Sequence, residues 1–297
     1  MKIMILGATG MLGHKLVQTL SEQNTVTGTI RGNAPDPANN PVFSGANIIG
    51  SVSADNPAGI RQVITRTRPE VIINCIGIVK QLPAARDPLQ SIAVNALFPH
   101  QLAKICLQEN IRLIHMSTDC VFSGHRGRYT ENDLSDAEDL YGKTKFLGEV
   151  NYPGCLTIRT SMIGRELSAS HGLVEWFLSQ DGKTVPGYKK TIFSGLTTIA
   201  LSDIIAEIIA GYPSLTGTCH IASEPTSKYD LLDLVKKTYG LTIALEPDET
   251  MINNRSLDAS RFKRETTIKI PSWEYMIDMM HRDPTPYDTV RHDHAHR

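Results

Sequence analysis

The chain begins with an apolar run, Ile3-Met4-Ile5-Leu6, that breaks at Gly7 into the turn Gly7-Ala8-Thr9-Gly10-Met11-Leu12-Gly13. A short unbroken apolar run ended by a turn signal predicts a strand buried on both faces, here over residues 2–6. Leu12, Leu16, Val17 and Leu20 then recur at helical spacing and predict a helix over 14–20. The alternation continues with strands expected at 25–30, 70–76, 111–116 and 156–160. A long helix is expected at 91–108, with Ile92, Leu97, Leu102 and Ile105 apolar and Asn95 the polar exception. Residues 32–41, rich in Pro, Asn and Gly, read as a loop.

Farther along, 173–178 reads as a helical turn carrying Trp176 and Phe177, and 202–210 and 230–239 as amphipathic helices. Ser227 or Asp230 would cap the second of these. Two short strands, 193–198 and 218–222, are expected to return to the first sheet, and 273–280 to close the fold as a helix. Strand, helix, strand in this order implies parallel pairing with right-handed crossovers.

Composition narrows the class without naming a chemistry. The 297 residues are 41% hydrophobic and 21% charged, ordinary for a globular enzyme. A net charge of −1 gives no electrostatic case for nucleic acid or an anionic membrane surface. No apolar run approaches the roughly 18–20 residues that span a bilayer, and the glycine turn after Leu6 is unlike a signal peptide. Cys75, Cys106, Cys120, Cys155 and Cys219 are odd in number, widely spaced and without a C-x-x-C pair. That pattern fits a reduced, cytoplasmic setting with no disulfide framework and no zinc site. His292, His294 and His296 alternate near the end, but no second ligand cluster accompanies them, so a solvated tail is expected and no metal.

Candidate chemistry gathers at predicted strand ends. Three glycines, Gly7, Gly10 and Gly13, lie between a strand and a helix, where they allow a tight turn, close approach of backbone N–H groups to a pyrophosphate, and close helix packing. Arg31 follows the second strand and is either a solvated loop arginine or a partner for a 2′-phosphate, which it suits better than a carboxylate would; the second reading favours NADPH, with NADH as the alternative. Asn74, Cys75 and Ile76 end a strand beside the expected switch point and suit a cofactor wall. Asn95 is either a core amide bonded to backbone or part of a proton relay. Ser117, Thr118 and Asp119 end the 111–116 strand. Tyr141 and Lys145, four residues apart, share a helix face, and an ammonium there would lower the phenol's pKa from about 10. Arg159 ends another strand as an ion-pair partner or a diphosphate ligand, and the substrate side is favoured. Arg165, Glu166 and His171 are loop candidates.

Read together, Gly7-x-x-Gly10-x-x-Gly13, Ser117-Thr118-Asp119-x-Val121-Phe122-x-Gly124, Tyr129-x-Glu131 and Tyr141-Gly142-Lys143-Thr144-Lys145-x-x-Gly148-Glu149 resemble an extended short-chain dehydrogenase/reductase, most of all the dTDP-4-dehydrorhamnose reductase group. The resemblance runs to about residue 280 and takes in Leu156–Ser161 and Phe193–Thr198. It implies an α/β fold: a Rossmann-type doubly wound parallel sheet with a smaller C-terminal substrate-binding lobe. The expected division is an NADP(H)-binding domain at 1–160, with strands near 191–222 returning to it, a substrate lobe at 161–190 and 223–280, and a flexible tail at 281–297.

The same resemblance implies roles. Thr118 would bind the substrate carbonyl, Tyr141 donate the proton, and Lys145 lower the pKa of Tyr141 while bonding the nicotinamide ribose. Gly7, Thr9, Gly10, Met11, Leu12 and Gly13 would hold the pyrophosphate and Arg31 the 2′-phosphate. Asn74, Cys75, Ile76, Asn95 and Ser117 complete the cofactor side. Asp119, Val121, Phe122, Arg159, Trp176 and Arg255 join Thr118 on the substrate side. Cys120 and Ser123 depart from the Tyr and Asp usual in the group, as do the stretches 76–81 and 173–178, which leaves the sugar and its nucleotide open. The expected function is NADPH-dependent reduction of the C4 carbonyl of a nucleotide-linked 4-keto-6-deoxysugar, in precursor synthesis for polysaccharides such as O-antigen, with a homodimer as candidate assembly. A nucleotide-sugar epimerase and a non-catalytic NADP-binding regulatory subunit are the alternatives.

Overall fold

The computed structural model describes residues 1–34, 41–168 and 172–295, with side chains as far as Arg291. His171, the side chains of His292 and His294, all of His296, and part of the 32–41 loop lie outside the described residues.

Alternate burial along the strands sets the layers. In β1 (Lys2–Leu6), Ile3 and Ile5 enter one apolar cluster and Met4 and Leu6 the other. β2 (Thr25–Thr29), β3 (Asn47–Ile49), β4 (Val71–Asn74), β5 (Arg112–Met116) and β6 (Cys155–Arg159) extend the same sheet. β4 repeats the rule, with Val71 and Ile73 on the first face and Ile72 on the second. Helices α1 (Gly13–Ser21) and α2 (Pro57–Thr67) cover opposite faces, α1 through Leu16, Val17 and Leu20, and α2 through Ile60, Val63 and Ile64. Each such side chain, fully buried, contributes about 1.5–3 kcal/mol.

The helix expected at 91–108 is α3 (Pro88–Ser91), a π-helical stretch Ile92–Leu97 and α4 (Phe98–Gln108) in succession. The wider turn falls on Asn95, and such turns are often found at functional sites. α5 (Leu140–Leu147) carries Tyr141 and Lys145. Beyond β6 follow β7 (Met162–Ile163), α6 (Leu173–Leu178), β8 (Thr184–Tyr188), β9 (Thr191–Phe193), β10 (Leu196–Thr197), α7 (Thr198–Gly211) and β11 (Gly217–His220). The chain then runs through β12 (Thr226–Ser227), α8 (Lys228–Tyr239), β13 (Ala244–Asp248), β14 (Asn253–Asn254), α9 (Ser260–Glu265), α10 (Trp273–His281) and α11 (Tyr287–Ala295).

The central sheet has seven parallel strands in the order β11-β6-β5-β4-β1-β2-β3. Its order reverses at β1, between β2 and β4, so a crevice opens beyond the C-terminal ends of β1 and β4. β11 returns to this sheet beside β6 as expected, but 193–198 does not. β9 pairs with β12 and β14, and β10 with β7. The local reason is that Thr197 accepts from the Ala200 N–H and starts α7, which ends the extended run.

The flexible tail expected from 281 is also corrected over its described part, as far as Arg291. Lys15 Nζ pairs with Asp283 at 2.5 Å, Tyr287 is 4% exposed, and the Arg291 guanidinium donates to the Glu166 carbonyl at 2.9 Å. Buried aromatic surface and a desolvated ion pair hold this segment on α1. Among the described residues, no helix is long and apolar enough to cross a membrane, and no group of three or more His, Cys, Asp or Glu could hold a metal ion.

Candidate active site

The crevice is walled by backbone brought unusually close. Gly7 has φ +85°, a conformation that favours glycine, and a Cβ there would lie 3.3 Å from the Cys75 carbonyl carbon and the Ile76 nitrogen. A Cβ on Gly13 would run into the Gly7 carbonyl oxygen, so any larger residue would push α1 away from the turn. Thr9 and Gly10 are exposed at the rim, just before α1. This cradle, closed to side chains and open to solvent at a helix start, fits a dinucleotide pyrophosphate. Leu12 can offer only its backbone, because its side chain is core; Met11 is half-buried. Arg31 is exposed just past β2, in reach of solvent and free of any structural burial.

The opposite wall departs from expectation. Cys75 and Ile76 are half-buried and face the cradle, but the Asn74 side chain is spent inside. Its amide lies 3.1 Å from His115 Nδ1 and its oxygen accepts from the Ile76 N–H at 3.1 Å, which fixes the turn rather than a ligand. Asn95 likewise is the core amide of the two alternatives. It accepts from the Ile78 N–H at 2.8 Å and donates to the Ile78 carbonyl at 3.0 Å, so it clamps the loop after β4. Ser117, expected on the cofactor side, is buried with its hydroxyl donating to Glu149 at 2.7 Å.

The candidate catalytic residues sit one strand over. Thr118 follows β5 by two residues in extended conformation; its hydroxyl accepts from the Cys120 N–H at 3.1 Å and donates to Asp119 at the same distance. Across from it, Asp139 caps α5 by accepting from the Gly142 N–H at 2.7 Å, and this sets the first turn that carries Tyr141. Gly142 lets α5 lie directly against the 119–121 turn. Tyr141 is half-buried, and its phenol is pushed above the usual tyrosine range by burial, with the neighbouring Cys120 adding to the shift and the Thr118 hydroxyl opposing it. Burial sets this value, and the lowering expected from Lys145 does not outweigh it. The Lys145 ammonium turns to the strand, donating to the Met116 carbonyl at 2.6 Å, and burial brings its own pKa down to about 8 against the pull of Glu149. The phenol thus carries its proton at neutral pH, while the Thr118 hydroxyl hydrogen rests on Asp119.

Asp119 is buried, and its carboxyl is pushed up by desolvation while Arg255 and Thr118 hold it down. Arg255 is bound to this corner, with Nε donating to the Phe122 carbonyl at 2.8 Å. The structure thus brings Thr118, Asp119, Tyr141, Lys145 and Arg255 together. Val121 and Phe122 are not substrate-facing. Both are fully buried with Tyr129, and Phe122 stacks on that ring at 4.2 Å between centroids. Arg159 is also removed from the substrate side. It is 4% exposed and forks onto Glu149, Nε to Oε1 at 2.8 Å and Nη2 to Oε2 at 2.7 Å, the structural ion pair of the two readings. Trp176 is 37% exposed on α6 beside buried Phe177. Arg165 and Glu166 belong to the anchored C-terminal contact: Arg165 pairs with Glu175 at 2.7 Å, and the Glu166 backbone holds Arg291.

Lys228 escaped the reading of the sequence. It is the first residue of α8, where a cation opposes the helix dipole. Burial lowers its pKa, and Asp119 and Cys120 oppose that, so it borders the same corner as Arg255. A lysine directly after the cap Ser227 was the available signal.

Compared with known proteins, the family described as RmlD substrate binding domain matches residues 1–284. The dTDP-4-dehydrorhamnose reductase of Salmonella typhimurium is 24% identical over 94% of this chain and 97% of its own length. The methionine adenosyltransferase 2 subunit beta of Mus musculus is 26% identical over 93% of this chain and 89% of its own. The solved structure of dTDP-4-dehydrorhamnose reductase from Bacillus anthracis in complex with NADP shares the fold, with a TM-score of 0.75 and 20% identity over 94% of this chain and 98% of that one.

Proposed function

The chain belongs to the RmlD substrate binding domain family, and we propose that it is an NADPH-dependent reductase acting on the C4 carbonyl of a nucleotide-linked 4-keto-6-deoxysugar. The observation that carries this reading is the placement of the Tyr141 phenol and the Thr118 hydroxyl at the same sheet edge as the glycine cradle, with the Lys145 ammonium anchored one turn along α5. Relatives named as dTDP-4-dehydrorhamnose reductases support it.

Gly7, Gly10 and Gly13 would hold the pyrophosphate and Arg31 the 2′-phosphate, and the bound nicotinamide supplies the hydride. The Thr118 hydroxyl, held at the 119–120 turn by its own bonds, orients the carbonyl by turning its hydrogen from Asp119 to the substrate oxygen. As charge builds on the carbonyl oxygen, Tyr141, which burial keeps protonated, stabilises it and then gives up its proton. The Lys145 ammonium, held on the end of the strand that leads to Thr118, favours the phenolate left behind. Arg255 and Lys228 would meet the substrate's phosphates, and exposed Trp176 would stack on its base or sugar. NADPH consumption by the purified protein over a panel of dTDP- and UDP-linked 4-keto-6-deoxysugars tests the reading. Turnover of at least one is expected, and none, with NADPH bound, would overturn it.

We place this activity in the cytoplasm, and a homodimer is the proposed assembly, supported by exposed Leu89, Ile92, Leu97 and Leu147 on adjoining helices; light scattering decides it. One observation favours a second reading, a subunit that binds NADP(H) for a partner enzyme: the likeness to a protein named as a subunit of methionine adenosyltransferase 2. Co-purification with a partner and no turnover would select it.

A further inference from the structure

Glu149 has no part in the chemistry above, yet its side chain is 8% exposed and fully engaged. The Lys145 ammonium grips the Met116 carbonyl at 2.6 Å, and Glu149 receives the hydroxyl of the very next residue, Ser117, at 2.7 Å. Ammonium and carboxylate therefore hold consecutive residues at the end of β5, directly before Thr118. Glu149 follows Gly148, the C-cap of α5, four residues after Lys145. Its charge is shared with Arg159, whose guanidinium forks onto both carboxylate oxygens and also lies 3.3 Å from His220 Nε2.

We propose that Glu149 is a positioning residue for the reduction: it gives buried Lys145 its counter-charge and, through Ser117, pins the strand end that presents Thr118. The inference rests on the reductase reading. The other titratable groups around the ammonium do not carry this charge. The Cys75 thiol at the end of β4 is pushed up to about 12 by burial and stays neutral. His115 on β5 is held well below its ordinary value by burial and by Lys145 itself, so it is neutral too. Tyr141, on the same helix, is protonated. Burial lowers the Lys145 pKa to about 8, and Glu149 is the largest influence in the other direction. Arg159 sets how much of that negative charge Lys145 feels.

Opposite shifts separate this role from a merely structural one. Glu149→Gln keeps the shape and removes the charge, so the alkaline limb of kcat should move about one pH unit lower. Arg159→Gln frees the carboxylate of its partner, so the limb should move higher. Glu149→Asp, which keeps the charge, should hold the wild-type limb at reduced thermal stability. A limb that stays put in Glu149→Gln, or moves the same way in both charge variants, overturns the proposal. If either charge variant fails to fold, Ser117→Ala replaces it: loss of that donor also leaves Glu149 more exposed in charge, an upward shift supports the role, and no shift or a downward one overturns it. Failure of the reductase reading shows separately, as absence of wild-type turnover. Lys145 is then titrated by competitive acylation with acetic anhydride and peptide mass spectrometry, and the same directions are expected.

Discussion

Gly142 packs its Cα against the Cys120 carbonyl oxygen so closely that a Cβ would overlap it. This contact sets the distance between the helix bearing Tyr141 and the turn bearing Thr118. Gly142→Ala must therefore shift one of them, at about 1–3 kcal/mol of overpacking. Misplacement of reacting groups by about 1 Å can cost on the order of 10²-fold in rate. We expect kcat to fall by that order while NADPH affinity, measured by fluorescence titration, changes little.

Tyr141→Phe removes the proton donor but not the ring. Loss of a positioned general acid costs about 10²–10⁴-fold, so kcat should drop in that range with NADPH binding retained. Unchanged turnover would remove Tyr141 from the mechanism.

His14 gives a pH dependence of stability. It is fully buried on α1 between the Gly10 carbonyl, at 2.9 Å, and the Tyr287 hydroxyl, at 3.1 Å. Burial lowers its pKa from 6.5 to about 4. Between those values the unfolded chain binds more protons than the folded one, so stability rises with pH there. This contribution is complete above about 6.5 and is lost as pH falls towards 4. Denaturant midpoints from pH 4 to 8 should show the slope, and His14→Gln should flatten it.

Two ion pairs of similar length should differ sharply in worth. Arg159–Glu149 spans 2.7 Å with side chains 5% and 8% exposed, whereas Lys80–Asp139 spans 2.6 Å with 54% and 35% exposed. Glu149→Ala leaves a buried guanidinium without its carboxylate and should cost about 3–5 kcal/mol. Lys80→Ala should cost no more than about 1 kcal/mol. Urea unfolding of the two variants makes the comparison, and equal losses would refute it.

The glycine cradle, β1 and the Tyr141–Lys145 helix were legible because each depends on residues within a few positions of one another. Arg159 was misplaced for the opposite reason: its partner is Glu149, and nothing local distinguishes a strand-end arginine that forks onto a carboxylate from one that meets a ligand. Phe122 shows the same limit. It lies in a motif beside Thr118, but its neighbours are Tyr129 and Leu257, and burial among them is set by tertiary packing. The pairing of β9 with β12 and β14 likewise depends on strands far away in sequence.

The contact of α1 with Asp283 and Tyr287 has a consequence for biosynthesis. Lys15 and His14 emerge from the ribosome long before their partners Asp283 and Tyr287. Until then the helix behind the glycine turn has an ammonium without its carboxylate and an uncovered imidazole. The nascent chain can build its sheet first, but the glycine-turn end of that sheet is locked only once residues 283–287 have been made.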